Sequence, residues 1–93
     1  MRITELERQA IKEVIMQRDP EAKVYLFGSR VDDNSRGGDI DLLILSKKIN
    51  EQDRHEIKIE LFDRIGEQKL DLIIAKDFNK TFVRIAFNQG LLL

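Results

Sequence analysis

Three aspartates stand where an aspartate is costly. Asp39-Ile40-Asp41 opens the apolar run Leu42-Leu43-Ile44-Leu45, and Asp71 interrupts the run Leu70-Asp71-Leu72-Ile73-Ile74. In extended chain, side chains two apart share a face, so Asp39 and Asp41 project together. Two carboxylates at that range repel, and an acid inside an apolar strand needs a partner. A hard divalent cation meets both needs, because Mg²⁺ takes carboxylate and phosphate oxygens. If the two runs are neighbouring strands, Asp71 joins the pair. Three carboxylates on one sheet face can hold two metal ions about 3.5–4 Å apart, which suits in-line displacement at phosphorus.

Gly28-Ser29-Arg30 follows another apolar run, Lys23-Val24-Tyr25-Leu26-Phe27. A glycine lets the backbone approach a phosphate closely. The Ser29 hydroxyl and the N–H groups after it can make an anion site if they open a helical turn. Arg30 can add charge-assisted contacts to phosphate. Between Ser29 and Asp41, two arginines (Arg30, Arg36) face four aspartates (Asp32, Asp33, Asp39, Asp41), a net of −2. That stretch repels a triphosphate unless metal is bound, so strict metal dependence is expected.

The elements that must position these groups are legible. Thr4-Glu5-Leu6-Glu7 reads as a capping box. Leu6, Ala10, Ile11, Val14 and Ile15 follow at helical spacing, and Pro20 ends the helix. Residues 23–27 read as a buried strand stopped by Gly28, and residues 32–38 as a loop of turn formers. Asp39–Leu45 reads as the second strand. Asn50 caps a helix to about Ile65, with Ile57, Leu61, Phe62 and Ile65 on one stripe and Gly66 as its C′ residue. Lys69–Ala75 reads as the third strand. Asp77 or Asn79 caps a last helix to about Asn88, with Phe82, Ile85 and Ala86 facing inward. The class is α/β (α+β), with a small mixed sheet of about three strands flanked by helices.

The chain has 93 residues and reads as a single domain, 1–93. Its apolar fraction is 42% and its charged fraction 35%, which fits a globular protein with a charged surface. Sixteen basic and 17 acidic residues give a net charge of −1, which argues against general nucleic-acid binding. The absence of cysteine excludes thiolate metal sites. No apolar run reaches the roughly 20 residues of a membrane span, and the first residues hold no signal-peptide core. A cytoplasmic location is expected. His55, the only histidine, reads as a solvated helix residue, Tyr25 as core, and the Phe78, Phe82, Phe87 set as core or partner interface. Leu91-Leu92-Leu93 must either pack back on the sheet or meet a partner.

The ordered set Leu26-Phe27-Gly28-Ser29-Arg30, Gly38-Asp39-Ile40-Asp41-Leu42-Leu43 and Leu70-Asp71-Leu72-Ile73 resembles the minimal nucleotidyltransferases of the DNA polymerase β-like superfamily. Gly38 stands where such proteins often carry serine. The resemblance covers nearly the whole chain. It implies a palm-like nucleotidyltransferase core in which Asp39 and Asp41 ligate two Mg²⁺ (or Mn²⁺) ions. Asp71 then ligates the catalytic ion and helps deprotonate the acceptor, while Gly28, Ser29 and Arg30 hold the triphosphate of ATP. Many such proteins resemble the antitoxin half of a two-gene module with an all-helical HEPN toxin. The activity implied is transfer of AMP from ATP to a tyrosine hydroxyl of that toxin. Two alternatives stand beside it: an antitoxin that neutralises by binding alone, and a small-molecule nucleotidyltransferase. The last wants an acceptor domain for which this chain has little room.

Overall fold

Helix α1 (Glu5–Arg18) begins where its orphan N–H groups find side-chain acceptors. The Glu7 N–H donates to Thr4 Oγ1 at 3.0 Å and the Thr4 N–H to Glu7 Oε1 at 2.8 Å. Asp19, ahead of Pro20, is extended and closes the helix. The computed structural model describes residues 3–28 and 40–93. The expected loop 32–38, and with it Ser29, Arg30 and Asp39, lies outside the described residues.

Five further elements follow in chain order: strand β1 (Lys23–Phe27), strand β2 (Ile40–Leu45), helix α2 (Glu51–Ile65), strand β3 (Leu70–Ala75) and helix α3 (Thr81–Gln89). A two-residue strand, β4 (Leu91–Leu92), comes last. Asn50 caps α2 through a reciprocal pair with Asp53, 3.0 Å each way. Gly66 ends it with φ +88°, a conformation that a β-carbon would strain. The sheet order is β3-β2-β1-β4, with β2 and β3 parallel and the other pairs antiparallel. This is the mixed α/β fold expected. It has a fourth strand because the terminal leucines pack back on β1, where the Leu93 N–H donates to Val24 O at 2.9 Å.

Alternation divides the sheet into two faces. Val24, Leu26, Ile40, Leu42, Ile44, Leu70 and Leu72 point to α1 and α2 and meet Ile11, Val14, Ile15, Ile57 and Leu61 in the main core. Leu43 and Ala75 point the other way, under Val83 and Ala86 of α3. Arg18–Glu60 (2.8 Å) and Arg64–Glu13 (2.6 Å) tie α1 to α2 at the surface.

Three expectations about packing and capping need correction. Leu6 is 79% exposed; at 3.6 residues per turn it lies roughly 140° around the helix from Ile11. Phe82 and Ile85 face outward, because α3 rests on the sheet through the smaller Val83 and Ala86. Neither Asp77 nor Asn79 caps α3: Lys80 occupies the N-cap, and the Asp77 carboxylate instead accepts from the Asn79 N–H at 3.0 Å, closing an Asx turn.

Candidate functional site

The register brings Phe27, Asp41 and Asp71 into one rung across three strands. Phe27 opposes Asp41 in the antiparallel β1–β2 pair, and Asp41 opposes Asp71 in the parallel β2–β3 pair. Residues in register share a face, so the two carboxylates project side by side on the α3 side of the sheet, about one strand spacing (4.7–4.9 Å) apart. They lie at the strand ends, one rung beyond the Leu43 and Ile73 layer that α3 packs against. Asp41 is half-buried and Asp71 exposed.

Gly28 ends β1 beside this rung. Its φ is +77°, and a β-carbon placed on it would collide with Asp41 Oδ2. The site therefore needs glycine on two counts. The left-handed backbone disfavours other residues, and the Asp41 carboxylate occupies the space a side chain would take.

Of the six expected site residues, the described structure holds Gly28, Asp41 and Asp71, and it brings all three together. Ser29, Arg30 and Asp39 lie outside the described residues. Among the described residues no cluster of three acidic or histidine ligands occurs. The described donors are two carboxylates on one rung, and Asp39 precedes Asp41 by two positions in sequence. An all-oxygen set of this kind fits Mg²⁺ or Mn²⁺ and is a poor set for softer ions.

A pocket of about 400 Å³ opens over the rung. Asp41, Asp71 and Phe27 line it from the sheet, Arg54, His55 and Lys58 from α2, and Phe82 from α3. Sequence reasoning passed over the α2 residues. Arg54 and Lys58 stand four apart and so share a helix face, which was a usable signal. What the spacing did not give is that this face wraps around the free edge of β3. His55 is exposed, as expected of a solvated residue, yet it borders the site. Arg54 is held by Glu51, Nε to Oε2 at 2.7 Å, and its Nη1 reaches Leu72 O at 3.5 Å.

Three further aromatic residues pack on one another on the α3 side of the sheet. Tyr25 packs edge-to-face on Phe87, and Phe87 on Phe78, at ring-centre distances of 5.1 and 4.9 Å. Tyr25 is half-buried beneath this set rather than enclosed. Phe82, 59% exposed, stands over the pocket.

Away from the site, Asp19 is buried at the junction of α1 and β1. Ser46 Oγ donates to its Oδ2 at 2.6 Å and the Glu21 N–H to its Oδ1 at 3.0 Å. The serine hydrogen bond, more than the Glu21 amide or the nearby Lys48 charge, holds the Asp19 carboxyl below its ordinary pKa against the opposing effect of burial.

A family model described as "Polymerase beta, Nucleotidyltransferase" matches residues 9–93. The chain therefore belongs to the polymerase β nucleotidyltransferase family. The crystal structure of a mutant of the toxin–antitoxin MntA-HpeT shares the fold, with a TM-score of 0.72 at 20% identity, covering 92% of this chain and 70% of that one. Comparison with curated proteins gives no match. No helix among the described residues is long and apolar enough to cross a membrane.

Proposed function

We propose that this nucleotidyltransferase transfers AMP from ATP to a hydroxyl of a partner protein, a tyrosine of a HEPN-type toxin, and so acts as its antitoxin. The observation that carries this reading is the rung of Asp41 and Asp71 with Gly28 pressed against the Asp41 carboxylate. Family membership supports the reaction class, and the likeness to the MntA-HpeT structure supports the pairing with a toxin.

In this reading Asp41, with Asp39 two positions before it, and Asp71 hold two Mg²⁺ ions. Bound there, the ions would neutralise the triphosphate and stabilise charge at the α-phosphorus. Gly28 leaves room for the Asp41 carboxylate, and its backbone with Ser29 and Arg30 grips the phosphates beside it. The acceptor oxygen attacks the α-phosphorus from the Asp71 side. Its proton passes to the Asp71 carboxylate, the bond from the α-phosphorus to the bridging oxygen breaks, and pyrophosphate leaves. Most of the rate gain comes from positioning and charge stabilisation.

Mass spectrometry of the purified partner after incubation with this protein, ATP and Mg²⁺ tests the proposal. The expected product is the partner plus an adenylate. Asp71→Asn should lower the rate by about 10²–10⁴-fold, the range for loss of a positioned base. Because Asp71 is exposed, its folding stability should change by less than about 0.5 kcal/mol. No adenylate on the partner with the wild-type protein would sink the reading.

The exposed apolar residues Phe82, Ile85, Leu91 and Leu92, each between 41% and 64% exposed, favour a second reading in which cover alone neutralises the toxin. Asp39→Asn with Asp41→Asn separates the two. Full neutralisation by that double variant means binding suffices.

A further inference from the structure

The two edges of the sheet are unlike. One is β4, two residues long. The other is β3, six residues long, free of proline, and with Asp71 as its only charge. The Ile40 N–H donates to Lys69 O and the Ser46 N–H to Ala75 O, both at 3.0 Å. Parallel pairing alternates, so residues 69, 71, 73 and 75 turn their backbone groups to β2, and Leu70, Leu72 and Ile74 turn theirs outward. Among the described residues, the one hydrogen bond that crosses this edge is the long contact from Arg54 to Leu72 O. A long edge with so little protection is a template for pairing with another chain.

A groove runs the length of that edge. The 400 Å³ pocket over the aspartates continues into one of about 640 Å³, the two sharing Arg54, Leu72, Ile73 and Phe82. The basic residues Arg54, Lys58, Lys76 and Lys80 line it against four acids, Asp41 and Asp71 at the rung and Glu51 and Asp77 further along. Glu51 is paired with Arg54, and metal at the rung would answer Asp41 and Asp71, which leaves Lys58, Lys76 and Lys80 against Asp77 alone. The groove thus complements an acidic segment.

We propose that β3 binds the acceptor polypeptide as an added strand, an extended acidic segment whose hydroxyl residue lies opposite Asp71. The inference rests on the function proposed above and names how its acceptor arrives. A residue opposite Asp71 in an added strand points to the same face, one strand spacing away, so its hydroxyl meets the carboxylate that takes its proton. The residues on either side of it point to the α2 face, where Arg54 and Lys58 stand. The favoured pattern is therefore acidic, hydroxyl, acidic. The nucleotide enters from the opposite side of the rung, beside Gly28.

Short synthetic peptides with a central tyrosine test this, one flanked by glutamate and one by lysine, each also N-methylated at alternate residues in either phase. With ATP and Mg²⁺, adenylation of the glutamate peptide should exceed that of the lysine peptide. N-methylation in the phase facing β3 should lower kcat/KM about tenfold, the effect of one or two lost backbone hydrogen bonds, and the other phase should do little. Ile74→Pro removes an outward N–H and no ladder bond. It should raise the acceptor KM about tenfold, for peptide or whole partner, while Mg²⁺–ATP binding by calorimetry stays unchanged. Should that variant misfold, Lys76→Glu with Lys80→Glu changes only surface charge and should reverse the peptide preference. Equal effects of both N-methyl phases, or an unchanged KM in Ile74→Pro, overturn strand addition and leave the transferase reading standing. No adenylation of any hydroxyl acceptor by the wild type overturns both.

Discussion

The α2 face and the α3 face of the sheet are made by alternate residues of the same strands, yet they differ in almost every property. On the first, Leu26, Leu42 and Leu72 form a rung that is 0%, 0% and 6% exposed, closed over by two capped helices. On the second, the rung one residue away is Phe27, Asp41 and Asp71, open to a pocket. One face is filled and the other is left unfinished. Among the described residues the difference lies in cover: α1 and α2 span the sheet, whereas nine-residue α3 rests on Leu43 and Ala75, with Tyr25 and Phe27 at its flank. A carboxylate pair can persist there because it is half in water, and because a cation can take the place of a covering helix.

Breaking the dry face should be the costliest change. Leu42→Ala leaves a cavity in the main core and should lower unfolding free energy by about 2–5 kcal/mol. Denaturant titration measures this. Calorimetry on the remaining folded fraction should find Mg²⁺–ATP affinity unaltered, and a parallel loss of affinity would show that the faces are not independent. Gly28→Ala should do the reverse. Positive φ costs an alanine about 1–2 kcal/mol, and its methyl displaces the Asp41 carboxylate, so Mg²⁺–ATP binding should fall far more than stability.

The smallest effect sharpens the comparison with a carboxylate that has no metal role. Asp19 is buried and satisfied by Ser46 and Glu21. Its folded pKa lies below the unfolded value of about 3.9. Its contribution to stability is therefore present above pH 4 and is lost as the pH falls from there through the lower folded value. Ser46→Ala should weaken the protein more at pH 7 than at pH 3, and Mg²⁺ should not alter that gap. An equal deficit at both pH values would contradict the assignment.

Much of this was legible because it depends on neighbours in the chain. The capping box at Thr4, the cap at Asn50, the stop at Pro20, the β1 bounds and the turn at Gly66 all follow from local hydrogen bonding and allowed dihedral angles. The misreading of α3 has a local cause too: Phe82 and Ile85 are apolar at helical spacing, and periodicity finds a stripe without saying which side of it meets the sheet. Arg54 and Lys58 were missed for a related reason, since a charged helix face reads as solvated until the helix is docked.

The sequence by itself determined which residue types meet at the site. An aspartate in an apolar strand, and a glycine that ends a strand beside it, are costly enough that their presence points to chemistry. The two-residue period of a strand also gives the expectation that Asp39 and Asp41 project together, although Asp39 lies outside the described residues. Only the tertiary structure decided that Asp71 stands opposite Asp41, because register between distant strands is set by the packing of Leu42 on Leu72 and Ile40 on Leu70 against α2. It alone placed the terminal leucines on β1. It also left β3 as the open edge, since strand order is settled by which faces must be buried rather than by anything local to Leu70–Ala75.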